Sequence, residues 1–140
     1  EYTGVDGKKH RPIMIHRVVF GSIERFIGIL TEHFAGKFPL WLSPVQVKIL
    51  SISEKYNDYA KEVTNRLVLN GFRCETDERP EKIGYKIREA RNERVPYILV
   101  VGEKEIGNQT VSVRCREDGD LGEMTSEVFL RYLADRTKDR

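Results

Sequence analysis

The stretch Tyr97-Ile-Leu-Val-Val-Gly102 decides the fold. Five apolar residues in a row leave no polar face for water, the pattern of a central strand covered on both sides in an α/β sheet. Upstream, Gln46-Val-Lys-Ile-Leu-Ser-Ile52 reads as a strand, Ser53 as the cap of a helix over 54–70, and Phe72-Arg-Cys-Glu-Thr76 as a second strand. Tyr56, Ala60, Val63 and Leu67 form the stripe of that helix, and Asn70-Gly71 ends it. Lys82 to Asn92 repeats at helical spacing, with Ile83, Ile87 and Ala90 toward the core. Downstream, a hairpin through Gly107-Asn108 leads to a return strand, Val111 to Arg116. A closing helix, Ser126 to Thr137, then presents Val128, Phe129, Tyr132 and Leu133. This order predicts an α/β domain built on a mixed, mostly parallel five-stranded sheet flanked by three helices.

The first 44 residues have a different pattern. A short pair of strands is expected around Gly4-Val-Asp-Gly7, then a strand whose Met14, His16, Val18 and Phe20 share one face. At Gly21-Ser22 the period changes to that of a helix carrying Ile23, Phe26, Ile27, Leu30 and Phe34. Ser22 suits a helix cap, and a phosphate-binding corner would look the same. A hairpin and one striped helix cannot bury their own faces, so the layer they pack on is expected upstream. Gly36, Pro39 and Pro44 mark a connector. The expected organisation is therefore 1–35, a strand-helix remnant of another domain; 36–44, a connector; and 45–140, a self-contained domain.

Among 140 residues, 39% are hydrophobic and 33% charged, and the net charge is +2. These values fit a soluble, cytoplasmic protein and exclude a strongly basic, non-specific nucleic-acid binder, so any such contact must come from a local patch. No apolar run approaches a membrane span, and the first residues lack the form of a signal peptide. Cys74 and Cys115 lie far apart, outside any C-x-x-C pair, and read as buried reduced thiols. Neither Ile52 nor Val101 is followed by a glycine-rich phosphate loop, which disfavours a complete small nucleotide-binding enzyme.

Three groups of residues carry candidate chemistry. Lys82, Lys86, Arg88, Arg91 and Arg94 are only partly diluted by Glu81, Glu89 and Glu93, and Gly84 leaves room beside them for a phosphate; a solvated helix surface is the ordinary reading. Glu105 and Arg114 are expected on opposite arms of the hairpin. An arginine fork and a carboxylate together suit the edges of an unstacked guanine, although an ordinary cross-strand ion pair uses the same residues. His16, alone on an apolar face, would usually be a core histidine.

The run His16-Arg-Val-Val-Phe-Gly-Ser-Ile-Glu-Arg-Phe26 resembles the third signature motif of class II aminoacyl-tRNA synthetases, in the form found in threonyl-tRNA synthetases. The resemblance continues through Phe38 to Gln46, Glu81 to Ala90 and Val95 to Glu105, and so covers nearly the whole chain. It implies that 45–140 is an anticodon-binding domain and 1–35 the end of a class II catalytic domain. The parent protein would join threonine to its tRNA in two steps, using Mg-ATP, and the chain alone would bind without catalysing. By the same resemblance, Arg25 and Ser22 lie at the ATP site and His16 is one of three zinc ligands, the other two lying outside this chain. Lys82 and Arg88 would lie at the tRNA surface, while Glu105 and Arg114 would read the G and U that end threonine anticodons. Pro80 departs from the asparagine some members carry there, and any contact made through that side chain is lost or replaced. The implied partners are threonine tRNA through its anticodon loop, with threonine and ATP for the parent; neither DNA nor a membrane is implied. The parent is expected to be a homodimer and this chain a monomer. The alternative is an accessory or regulatory module that keeps the fold and binds another RNA or a protein.

Overall fold

The structure is a computed structural model that describes residues 1–138. Strands β1 (Tyr2–Thr3) and β2 (Lys9–His10) pair antiparallel, as the glycines at 4 and 7 suggest, with Gly7 at φ 71°. Helix α1 (Ile23–Phe34) begins at Ser22, whose hydroxyl accepts from the Arg25 N–H at 3.4 Å, so the cap is present. No residue of α1 is buried. The strand expected over 14–20 does not form. Residues 11–20 are exposed throughout, and a period-two sequence becomes a strand only where a second strand completes its hydrogen bonds.

After the connector come β3 (Val47–Ser51), a 3₁₀ turn (Glu54–Tyr56), α2 (Asn57–Leu69), β4 (Cys74–Asp77), α3 (Ile83–Asn92) and β5 (Tyr97–Val101). Then follow α4 (Glu103–Asn108), β6 (Thr110–Cys115), β7 (Gly119–Thr125) and α5 (Ser126–Lys138). The five-stranded sheet has the order β4-β3-β5-β6-β7, which makes the Tyr97–Val101 run the central strand. Its pairings divide evenly: β3 with β4 and β3 with β5 are parallel, β5 with β6 and β6 with β7 antiparallel. No helix among the described residues is long and apolar enough to cross a membrane.

Several local expectations change. Ser53 makes no side-chain cap, because a 3₁₀ turn intervenes before α2. Gly107-Asn108 is not a hairpin turn: the eight residues between β5 and β6 are too many for a tight turn, and they wind into α4 before Gln109, at φ 55°, reverses the chain. Val128 is exposed, since the buried stripe of α5 runs through Ser126, Phe129 and Leu133, one position away. Lys86 does not join the surface charges. It is 1% exposed, and its ammonium donates to the Ser51 carbonyl at 3.0 Å and the Asp77 carbonyl at 3.1 Å, fastening the ends of β3 and β4 together. Cys115 is buried as expected and Cys74 is half-buried; both are free thiols.

The connector is fastened to the domain by three side chains. Arg73 donates to the Ser43 carbonyl at 2.7 and 3.0 Å and to that of Trp41 at 2.8 Å. Gln46 donates to the Leu40 carbonyl at 2.8 Å, and Arg116 to that of Phe38 at 3.0 Å. These carbonyls would otherwise need water, so the bonds fix the connector's path.

Candidate functional site

The two faces of the sheet are covered unequally. Val47, Ile49, Leu99, Val101, Val111 and Val113 pack under both α2 and α5, forming the main core with Phe129 and Leu133. The opposite face has a smaller cluster, Leu50, Ile98, Val100 and Ala90, lying under α3 with Ile83 and Ile87. That one helix stands over β3 and β5, so β6 flanks a trough beside it. By alternation, β6 turns Val111, Val113 and Cys115 to the main core and Thr110, Ser112 and Arg114 to the trough. Register sets Arg114 beside Ile98 and Ser112 beside Val100.

Charge is sorted across α3. On the flank toward β4, Glu89 accepts from both Arg79 and the Tyr85 hydroxyl, and Arg79 also holds Asp77. The Arg79 hydrogen bonds keep the Asp77 and Glu89 carboxyls below the usual carboxylate range, against the opposing effect of burial. The helical period sets Gly84, Arg88 and Arg91 on the other flank, toward β6. Arg88 and Arg91 form no ion pair among the described residues, and a side chain at Gly84 would meet nothing within 4 Å; Lys82, the residue that precedes α3 on the Glu89 side, is unpaired too. Arg88 and Arg91 beside the trough are thus uncompensated, while Arg79 across α3 is paired.

Arg114 and Glu105 are brought to the same sheet region, though not as facing arms of a hairpin. Arg114 is part-buried on β6; its nearest carboxylate, Asp120 on β7, is 3.8 Å away, and its Nε is buried with no hydrogen-bond partner. Thr110 Oγ1, on the same face of β6, is likewise unpartnered. Glu105 is in the first turn of α4, which packs on β6, and is 9% exposed. Its Oε2 accepts from the Gly102 N–H at 2.9 Å, so one oxygen caps the helix. No hydrogen bond or ion pair joins Glu105 to Arg114. Buried polar groups without partners are uncommon in a folded chain, and both of these side chains lie on the face of β6 turned away from the main core.

The residues of the amino-terminal part are not gathered in the same way. Ser22 serves α1 as its cap and donates to Glu24 at 3.0 Å, and the Arg25 side chain is exposed in the first turn. His16 stands in the exposed, unpaired segment. Among the described residues no group of three or more His, Cys, Asp or Glu side chains could hold a metal ion, so these residues by themselves do not make up a zinc centre. Ser22 and Arg25 alone do not enclose a nucleotide.

Lys86 and Arg116 were missed as organising residues. For Lys86 a signal existed: it lies three residues after Ile83 and four before Ala90, inside the apolar stripe. Nothing local distinguishes Arg116, because its partners, Phe38 and Arg94, are distant in sequence.

Comparison with known proteins identifies the family to which the fold belongs. The family described as "Anticodon binding domain" matches residues 46–136. The chain is 63% identical to the threonine–tRNA ligase of Acetivibrio thermocellus over 139 residues, 99% of this chain and 22% of that protein. It is 59% identical to that of Clostridioides difficile over the same shares. It thus spans about a fifth of the length of these curated relatives. Among solved structures, the RNA binding domain of threonyl-tRNA synthetase from Cryptosporidium parvum superimposes with a TM-score of 0.77 at 37% identity, covering 83% of this chain and 29% of that one.

Proposed function

The chain belongs to the anticodon-binding domain family, and from that membership we propose that it reads the anticodon loop of threonine tRNA as the carboxy-terminal part of a threonine–tRNA ligase. The observation that carries this reading is the trough beside α3, where Arg88 and Arg91 are uncompensated and the buried Arg114 Nε has no partner. Single-stranded RNA supplies what such a surface lacks: phosphates for the free cations and splayed base edges for the forked donor. Lys82 and Arg88 would hold the backbone. Arg114 would donate to a base edge, and Glu105 would accept from one through the oxygen not used as a cap.

In the longer protein, threonine activation would require ATP with magnesium, and discrimination of threonine would use zinc. Arg25, Ser22 and His16 would be this chain's share of those sites. The reading makes the longer protein a homodimer and this chain a monomer, which sedimentation equilibrium would test. The recognition itself is tested by fluorescence anisotropy with the threonine anticodon stem-loop and with loops carrying a replaced G or U, at two salt concentrations. Selective weakening by the replacements supports the reading; equal binding of all loops overturns it.

A further inference from the structure

At the end of the trough nearest the connector is a concavity of about 380 Å³ lined by Lys37, Arg91, Arg94, Ile98, Arg114 and Arg116. The one carboxylate in its lining, Glu117, is engaged by Arg116 at 2.7 Å. Both terminal nitrogens of Arg116 are engaged, its other bonds going to the carbonyls of Arg94 at 2.9 Å and Phe38 at 3.0 Å, and only its buried Nε is without a partner. Arg116 thus acts as the clamp that closes the concavity against the connector. Lys37 and Arg91 are exposed and form no ion pair among the described residues. Arg94 has a left-handed backbone, φ 59°, which is costly for a residue with a Cβ. Its side chain lies against Gly36, where an added Cβ would come within 3.2 Å of the Arg94 Cδ. Left-handed Arg94 and glycine at 36 together bring Lys37, a connector residue, to the rim of the same basic hollow.

We infer that this hollow is a subsite for a backbone phosphodiester of the bound RNA, and that Lys37 brings the connector into contact with the strand. The inference rests on the anticodon reading and adds a part of the site formed by the segment that leads to α1. A phosphodiester carries one negative charge and no donor, which suits a hollow where the cations Lys37 and Arg91 are unpaired and the one carboxylate is held by Arg116. Because Arg114 lines both the hollow and the trough, a strand whose base is read there extends its phosphate toward Arg91 and Lys37.

The test uses the whole chain, the threonine anticodon stem-loop and a base-replaced loop, with affinity measured across a salt series. Lys37→Gln and Arg91→Gln change exposed, unpaired side chains, so urea midpoints should match the unsubstituted chain. Arg131→Gln, on α5 against the opposite face of the sheet, is the control. Each of the two variants should lower the slope of log affinity against log salt by about 0.7, the value for one phosphate of a single strand, equally for both loops. The control should leave the slope unchanged. Unchanged slopes for Lys37→Gln and Arg91→Gln, with loop selectivity intact, would overturn the subsite and leave the anticodon reading standing. Failure of the unsubstituted chain to distinguish the loops would overturn both.

Discussion

Gly102 and Glu105 are matched to each other across the first turn of α4. The carboxylate accepts the Gly102 N–H at 2.9 Å, and a Cβ at position 102 would lie 3.2 Å from that oxygen and 2.5 Å from the Ile52 Cδ1. The backbone of Gly102 is extended and ordinary for any residue. A Cβ there would crowd the capping oxygen and the far end of the exposed Ile52 side chain, and glycine leaves both in place.

Gly102→Ala should therefore displace the carboxylate or the end of Ile52. The end of Ile52 is exposed and can swing aside, so the urea midpoint should fall little. Loop selectivity should fall, because the Glu105 carboxylate must shift to make room. Glu105→Gln, which keeps an accepting oxygen for the cap, should retain most of the stability and lose selectivity, whereas Glu105→Ala should lose both, with about 1 kcal/mol for the cap.

Lys86→Met removes the donor shared by the Ser51 and Asp77 carbonyls and takes a cation from beside the nearly buried Asp77 carboxylate, 3.9 Å away. Breaking such a buried arrangement from one side costs about 3–5 kcal/mol. Chemical denaturation should show a loss in that range, larger than that for any single exposed cation of α3.

Acid should destabilise the domain through Asp77 and Glu89. Their folded pKa values lie below the unfolded ones because of Arg79, so the folded state holds fewer protons in the carboxylate range. Their contribution is present above the unfolded pKa and is lost as pH falls through the folded one. Asp77→Asn should flatten the acid side of a stability-against-pH curve, measured by urea midpoints between pH 3 and 7, a range chosen to span the roughly 4 of an ordinary carboxylate. An unchanged acid limb would contradict this assignment.

Burial pushes the Cys74 thiol up to about 12. At pH 8 it should react with iodoacetamide far more slowly than an unfolded thiol, whose pKa is about 8.5. The linkage runs the other way from that of the carboxylates: above the unfolded pKa the unfolded chain sheds the proton first, so stability falls as pH rises. Rapid labelling of Cys74 in the folded chain would contradict its placement.

Much of this architecture is legible in the residues, and the exceptions share a cause. Tyr97 to Val101 announces a central strand because burial on both faces leaves no polar position, and Ala60, Val63 and Leu67 show the stripe of α2 directly. Strand β7 cannot be placed from its sequence: Gly119 and Gly122 interrupt it, and of its seven residues only Leu121 and Met124 pack on the core. The segment 14–20 has the period of a strand and no partner to pair with. Glu105 and Arg114 stand out by resemblance, but the helix that carries Glu105 depends on a cap bond between neighbouring residues that periodicity does not register. Lys86 is hidden for the opposite reason, since its charge argues for the surface while two carbonyls at the ends of the neighbouring strands β3 and β4 make burial possible.

The central claim is that Arg114 reads a base, and the most direct measurement crosses a protein change with an RNA change. Affinities of the unsubstituted chain and of Arg114→Ala are compared for the threonine anticodon stem-loop and for the loop with its G replaced. A bidentate arginine contact should make the unsubstituted chain prefer the native loop by about ten-fold or more. In Arg114→Ala that preference should collapse toward one, with little change in binding of the replaced loop. An equal drop for both loops, with the preference kept, would contradict the account: Arg114 would then hold the backbone, and the base would be read elsewhere.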